Sequence, residues 1–139
     1  MKFMLDKKES YTVVAVLEDK LNTLNAVDFK TELKVLNEGG VRNIILDLSN
    51  VTFADSSGLG AILIGNRLCE ASDGTFVLSG LTNGVQRIVD ISQLGSVLTI
   101  VPTVQEAIDF VMMEELVREL SGEAEEDDDL TSDDSAAND

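Results

Sequence analysis

The alternation of short apolar runs with longer stretches of helical periodicity constrains the fold of this chain most strongly. Residues 11–17 are rich in strand-forming side chains, and residues 42–48 contain a continuous Ile-Ile-Leu run suited to a buried strand. Residues 75–78 and 97–101 indicate two further strands. Strands that alternate with helices in this order are typical of the α/β class, in which helices pack on a central sheet.

Four segments carry apolar residues three and four residues apart, which is the spacing of one helix face. The first includes Phe29 and Leu33 and ends at Gly39-Gly40, a pair that favours a helix stop. The second follows Ser56, the third covers 83–92, and the last covers 105–120 after Pro102. We therefore predict about four helices.

The distribution of charge divides the chain into two parts. Residues 1–120 contain all the predicted strands and helices and fit one domain, whereas residues 121–139 hold nine acids and no Lys or Arg. The second segment cannot bury enough apolar surface to offset its ordering entropy, so we predict a disordered acidic tail. Two roles are open for this tail: it solubilises the protein, or it folds back electrostatically onto a basic partner surface.

Composition excludes several classes of function. The chain has no His, which removes Ser/His/Asp triads and His-containing metal sites, and we expect no metal or cofactor. Its net charge of −16 opposes binding to nucleic acid, and no apolar run is long enough for membrane insertion. Cys69 is the only Cys, and nothing at the start resembles a signal peptide, so a cytoplasmic location is expected.

The most informative segment runs from the second predicted strand through a loop into the second helix. It contains Asp55, Ser56 and Ser57, whose short oxygen-bearing side chains are favoured where a helix begins, so helix capping alone could explain them. Gly58, Gly60 and Gly65 follow although glycine weakens a helix, and we interpret them as backbone left open for a docking partner.

The second helix is also apolar on more than one side. One side should pack on the sheet, and the other is a candidate partner surface. The residues assigned to that surface are Ala61, Ile64 and Leu68.

The hexapeptide Asp-Ser-Ser-Gly-Leu-Gly at residues 55–60, placed after a strand and before an apolar helix, resembles the STAS family, particularly its sporulation-type anti-sigma factor antagonists. The likeness spans roughly residues 3–115. It implies a central mixed sheet of four to five strands flanked by about four helices. It also implies a binding protein that captures an anti-sigma factor and thereby releases a sigma factor.

In the implied cycle the anti-sigma factor is also a serine kinase, and a serine phosphatase resets the system. The family's phosphorylated serine falls on Ser56; the residues alone do not rank Ser56 over Ser57. A phosphate there would repel acidic partner groups and add a desolvation cost to an interface. ATP and magnesium belong, by this resemblance, to the partner kinase.

One segment departs from the family pattern. Where the family often has Gly-Glu-Leu-Asp after the second strand, this chain has Asp19-Lys20-Leu21-Asn22, so the partner contact there is expected to differ. The predicted partner-binding residues are Asp19, Lys20, Asn22, Asp55, Ser56, Ser57, Gly58, Gly60, Ala61, Ile64 and Leu68.

Two other kinds of function are compatible with parts of the sequence. An enzyme with a serine nucleophile lacks both a Gly-x-Ser-x-Gly elbow and a His base, so we expect no enzymatic activity. A STAS domain can also serve as a non-switched scaffold subunit of a signalling or membrane transport complex, and this alternative stays open.

Overall fold

The computed structural model describes the chain from residue 1 to residue 132, with side chains described up to residue 122. The strands are β1 (Phe3–Lys7), β2 (Thr12–Val16), β3 (Lys20–Leu21), β4 (Ile44–Asp47), β5 (Phe53–Ala54), β6 (Phe76–Ser79) and β7 (Thr99–Val101). The helices are α1 (Ala26–Glu38), α2 (Ser56–Ala71), α3 (Asn83–Ile91) and α4 (Val104–Ser132), with a 3-10 turn at Leu94–Ser96.

Five of the strands form one mixed sheet in the order β1-β2-β4-β6-β7. Only the β1–β2 pair is antiparallel, because a tight hairpin joins these strands, whereas helices connect β2, β4, β6 and β7 in parallel. Together with the four helices found within residues 1–132, this sheet confirms the predicted α/β class and the predicted central mixed sheet of four to five strands with about four helices.

The helices pack unequally on the two faces of the sheet. Helices α1, α2 and α3 contribute to the larger core, in which Phe29 is fully buried and its ring stacks on Phe3 with centroids 6.0 Å apart. Helix α4 covers the other face, where Ala107 and Val111 pack on side chains of β2, β4 and β6. The sheet is thus buried on both sides, which accounts for the nearly continuous apolar sequence of β4 and β6.

Three strands were missed by the sequence analysis. Strand β1 has only a short apolar run that charged residues interrupt, and β3 and β5 are two residues each, too short for any periodicity to mark them. The two short strands pair in parallel with each other, outside the main sheet. This small ribbon determines the geometry of the site described below.

The last helix is longer than predicted. Helix α4 continues to Ser132, whereas the apolar periodicity predicted an end at Leu120. The residues that follow Gly122 begin Glu-Ala-Glu-Glu, and both residue types have high helix propensity without any apolar pattern, which explains the difference. The helix therefore enters the segment that we expected to be disordered. The remainder of that segment, 133–139, lies outside the described residues, and the division at residue 120 stays a prediction.

The helices are too short or too polar to cross a membrane. Within residues 1–132, no helix combines the length and the apolar character that crossing a bilayer requires.

Candidate partner-binding site

The amino end of α2 is held by the side chain of Asp55. This residue has extended backbone geometry, and its Oδ1 accepts a hydrogen bond from the backbone N–H of Gly58 at 2.9 Å. The carboxylate therefore satisfies one of the unpaired N–H groups at the helix start and places a negative charge where the helix dipole favours it. The predicted capping role of the motif is confirmed for Asp55.

The second oxygen of Asp55 connects the helix to a distant loop. Its Oδ2 accepts hydrogen bonds from the backbone N–H of Thr23 at 3.2 Å and from the Thr23 hydroxyl at 3.3 Å. The Thr23 hydroxyl also lies 3.3 Å from the Ser57 hydroxyl, and either oxygen can be the donor. Sequence reasoning missed Thr23, because nothing in its own segment distinguishes it.

These hydrogen bonds affect the acidity of Asp55. The bond from the Gly58 N–H lowers the pKa of the Asp55 carboxyl below its ordinary value, desolvation opposes this change, and the Thr23 bonds lower the pKa further. The residue is thus an anion at neutral pH. Any partner or phosphate close to it meets a fixed negative charge.

The β3–β5 ribbon brings the predicted 19–22 segment to the same end of the molecule. Lys20 pairs with Phe53 and Leu21 with Ala54, and the Leu21 carbonyl accepts a hydrogen bond from the Asp55 N–H at 3.0 Å. The structure therefore places the two predicted segments side by side, as expected if they contribute to one surface.

Individual residues of the 19–22 segment have different local roles. The Asp19 carboxylate accepts a hydrogen bond from the Thr52 hydroxyl at 2.7 Å. The Asn22 Oδ1 accepts a hydrogen bond from the Leu24 N–H at 3.0 Å and so shapes the turn into α1. The Lys20 side chain is exposed. Partner binding by Asp19, Lys20 and Asn22 stays a prediction.

The two adjacent serines differ in their surroundings. Ser56 is exposed, and within the part of the chain whose side chains are described its hydroxyl has no hydrogen-bond partner. Ser57 is half-buried and its hydroxyl lies against Thr23. Ser56 is therefore more accessible to a modifying enzyme than Ser57, a distinction that the sequence alone could not make.

The glycines of α2 require a correction to the sequence interpretation. A Cβ on Gly58 would clash with the Leu21 backbone and lie 2.9 Å from the Leu21 Cβ, and a Cβ on Gly65 would lie 2.6 Å from the Phe76 ring. Both glycines are thus explained by close packing within the chain, not by an external partner. Only Gly60 of the three has open space around it, since a Cβ added there would have no other side chain or distant backbone within 4 Å.

A groove of about 470 Å³ lies between α1 and α2, and Ser57 lines it near the start of α2. It contains four of the predicted residues, of which Ala61 is buried and forms part of the floor while Ile64 is half-buried. Leu68 lies outside the groove and packs partly against the core. The residues lining it are Thr23, Ala26, Val27, Lys30, Ser57, Gly60, Ala61, Leu63, Ile64 and Arg67.

Exposed apolar side chains surround the same end of the molecule. Leu24 is 90% exposed, Val27 is 64% exposed and Phe53 is 44% exposed. Large apolar groups this exposed on one surface are a sign of a protein interface. The sequence analysis did not single out these residues, although Val27 falls on the outward side of α1 once Phe29 and Leu33 define its inward side.

The layered sheet and the serine-bearing end of α2 first define the class: the chain is an α/β domain of STAS architecture. The chain belongs to the STAS domain family, whose model matches residues 3–107. This match confirms the resemblance inferred from the 55–60 hexapeptide.

Comparisons with individual proteins agree with this assignment. The chain is 28% identical over 100 residues to BtrV of Bordetella bronchiseptica, a proposed anti-sigma factor antagonist, covering 72% of this chain and 85% of that protein. The crystal structure of a proposed anti-sigma factor antagonist of Thermotoga maritima is 29% identical, with a TM-score of 0.71, and the match covers 79% of this chain and 94% of that one.

Two further similar structures carry the name SpoIIAA and differ in chemical state. The anti-sigma factor antagonist SpoIIAA in its unphosphorylated form is 25% identical with a TM-score of 0.62, covering 80% of this chain and 98% of that one. The phosphorylated form of Bacillus SpoIIAA is 26% identical with a TM-score of 0.61, covering 79% and 99%. The relatives of this chain thus include regulatory proteins named as anti-sigma factor antagonists.

Proposed function

We propose that this protein is an anti-sigma factor antagonist whose binding to an anti-sigma factor with serine kinase activity is abolished by phosphorylation of Ser56. The unphosphorylated protein would capture the anti-sigma factor and release a sigma factor. A serine phosphatase would restore the binding form. The names of the relatives support the antagonist role, and the phosphorylated SpoIIAA structure supports a phosphorylation switch.

The observation that carries the proposal is the position of Ser56. This residue is exposed at the first turn of α2, directly after the anionic Asp55 and directly before Ser57, which lines the apolar groove. A phosphate there adds about −1.5 to −2 charges at pH 7. The helix start tolerates an anion, so the fold should persist, whereas an interface that covers Ser56 would have to desolvate the phosphate.

The charge of the groove supports an acidic partner surface. Lys30 and Arg67 line the groove, one from each helix, although the chain as a whole has a net charge of −16. A partner that contacts these two cations with acidic groups would also meet a phosphate at the start of α2, eleven positions before Arg67, and its acidic groups nearest Ser56 would be repelled. A coupling of about 3 kcal/mol weakens binding by more than a hundredfold, which is enough to release the partner.

Calorimetry of the full chain with candidate anti-sigma kinases from its genome tests this proposal. Wild type and Ser56→Ala should bind with similar affinity, and Ser56→Glu should bind at least a hundredfold more weakly. Ser10→Glu is the matched control, because Ser10 is an exposed serine in the β1–β2 turn, at the opposite end of the sheet. Mass spectrometry after incubation with ATP and magnesium should locate one phosphate on Ser56.

The alternative function predicts a different result. A non-switched scaffold subunit of a signalling or transport complex would bind its partner equally well as wild type and as Ser56→Glu, and no phosphate would be found. A phosphate on Ser57 with normal binding of Ser56→Glu would refute the assignment of Ser56 and retain the switch.

The remaining parts of the proposal follow from the same mechanism. The protein acts by binding and catalyses no reaction, and it needs no cofactor of its own, since ATP and magnesium are used by the kinase. A cytoplasmic location is included because the kinase requires ATP. Turnover of a generic ester that Ser56→Ala abolished would contradict the assignment as a non-enzyme.

A further inference from the structure

Helix α4 carries a second apolar face that is not used by the core. Val104, Ala107, Ile108 and Val111 contact the sheet, whereas a separate set of large side chains is 44–58% exposed. This set is the α4 stripe: Met112, Met113, Leu116, Val117 and Leu120. Steps of three and four residues place all five on one side of the helix, approximately opposite the sheet-facing side.

The α4 stripe is larger than the isolated apolar groups that are usual on a protein surface. Isolated exposed apolar residues are normal on a protein surface, but five contiguous ones along two helical turns resemble the patches that mark interaction sites. Within residues 1–122, nothing covers these side chains. The 133–139 segment, Asp-Asp-Ser-Ala-Ala-Asn-Asp, has no large apolar side chain with which to cover them.

The charges around the α4 stripe have one sign. Glu106 and Asp109 are exposed at its amino end, and Glu114 and Glu119 lie on its two sides. The only Lys or Arg in the α4 sequence is Arg118, and its guanidinium donates to Glu115 at 2.8 Å and to the Thr75 hydroxyl at 2.6 Å on the sheet side. An apolar stripe framed by carboxylates complements a surface that is apolar at its centre and basic at its rim.

We propose that the α4 stripe is a second docking surface, and that its occupant is a basic amphipathic helix of a partner protein. Apolar residues of that helix would pack on the methionines and Leu116, and its Lys or Arg residues would contact the surrounding carboxylates. Methionine suits such a surface because its unbranched side chain adapts to its partner.

Charge argues against the other occupants. A second copy of this chain would place the same carboxylates against one another, and the net charge of −16 opposes that approach. An anionic membrane surface is repelled for the same reason. A cationic helix is the occupant that both the apolar and the charged parts of the surface favour.

The second surface is independent of the proposed Ser56 switch. Helix α4 lies on the face of the sheet opposite to α1 and α2, so a helix bound to the stripe would leave the groove accessible. The protein could therefore hold two partners at once, with only one of them sensitive to phosphorylation.

A synthetic peptide of 18 residues tests the proposal, with leucines on one helical face and lysines on the other. Its affinity for the full chain is measured by fluorescence anisotropy, beside a scrambled peptide of the same composition and a peptide with Glu in place of Lys. The amphipathic basic peptide should bind at least tenfold more tightly than either of the other two. Equal binding of the scrambled peptide would show nonspecific charge attraction and overturn the proposal.

Substitutions assign the binding to the α4 stripe. The double substitution Leu116→Gln with Val117→Gln should lower the affinity for the basic peptide at least tenfold. Both positions are about half exposed, so the fold should persist. Ile91→Gln with Val97→Gln is the control, because it removes two exposed apolar groups elsewhere and should change affinity less than twofold. Unchanged binding of the Leu116/Val117 variant would overturn the proposal.

Two further measurements distinguish the α4 surface from the Ser56 switch and a partner helix from a second copy of this chain. Ser56→Glu should change peptide affinity less than twofold, so failure of the switch and failure of the α4 surface are distinguishable. Sedimentation should find a monomer. A dimer that the Leu116/Val117 variant dissociates would identify a second copy as the occupant and refute the basic-helix assignment.

Discussion

Asp55 receives two hydrogen bonds from Thr23, a residue 32 positions earlier in the chain, one from its backbone N–H and one from its hydroxyl. The contact fastens the loop before α1 to the first turn of α2. Both helices that line the groove are thereby held at the end where the serines lie. We therefore expect the local order of the candidate site to depend on this pair.

Loss of the Thr23 hydroxyl should loosen this connection. Thr23→Val keeps the side-chain shape and the backbone bond but removes the hydroxyl contacts to Asp55 and Ser57, and we expect Tm to fall by about 3 °C. Thr31→Val is the control, since the Thr31 hydroxyl bonds only to the Val27 carbonyl within α1. Calorimetric melting curves compare the two, and an equal effect of both substitutions would contradict the role given to Thr23.

The ionisation of Asp55 should make stability depend on pH. Its folded pKa lies below the ordinary value of 3.8, so its stabilising contribution is complete above that value and is lost as pH falls through the folded pKa. Asn at this position still caps a helix but does not titrate. The stability difference between wild type and Asp55→Asn, measured by urea unfolding from pH 7 to pH 2.5, should therefore narrow on acidification. A difference that widens below pH 4 would contradict the lowered pKa.

Alanine substitutions should distinguish the glycines of α2. Gly58→Ala forces a Cβ into the Leu21 backbone and should destabilise the fold by about 1–3 kcal/mol. Gly60→Ala fills open space and adds helix propensity, so it should stabilise by about 0.5–1 kcal/mol. Urea unfolding of the two variants gives both values.

The same Gly60→Ala protein also tests whether a partner approaches the Gly60 backbone, because the added methyl group would then lower the affinity for that partner.

Glu115 anchors α4 to the end of the sheet. Although its burial favours the neutral acid, hydrogen bonds from Asn43 and Arg42 and the charges of Arg42 and Arg118 lower the pKa of its carboxyl. Glu115→Ala leaves these donors without an acceptor and should destabilise the fold by about 1–2 kcal/mol. Glu114→Ala, one position away and without these bonds, should change stability by less than about 0.5 kcal/mol. Chemical unfolding of both variants makes the comparison.

Cys69 should be chemically inert in the folded protein. Burial raises the pKa of its thiol to about 12, so almost no thiolate is present at neutral pH. Iodoacetamide at pH 8 should label the native chain at least a hundredfold more slowly than the chain in 6 M guanidinium. Rapid native labelling would show that α2 opens more readily than its packing indicates.

The parts of the fold with a strong local pattern were predictable from the sequence. The uninterrupted apolar run of β4 and the three- and four-residue spacing of the inward face of α1 can both be read from neighbouring residues. Strands β3 and β5 could not be found, because two residues have no period and their pairing is set by contacts between distant segments.

The parts of the candidate site that depend on neighbouring residues were also predictable, whereas the parts that depend on tertiary packing were not. The capping chemistry of Asp55 is local and was recognised, and the 55–60 hexapeptide identified the family. Thr23, Lys30 and Arg67 were not recognised, since each joins the site only through tertiary packing. Gly58 was assigned to an external partner because a sequence cannot reveal that the neighbouring backbone belongs to the chain itself.

The close packing of Gly58 on Leu21 has a consequence for the speed of the proposed regulation by a kinase and a phosphatase. Because its first turn is packed closely against Leu21 of β3, we expect α2 to stay in place under the proposed phosphorylation of Ser56. We therefore expect the modified and unmodified proteins to share one backbone and to differ only at the surface. No conformational relaxation would then follow the chemistry, and the response time of the pathway would be that of the kinase and phosphatase alone.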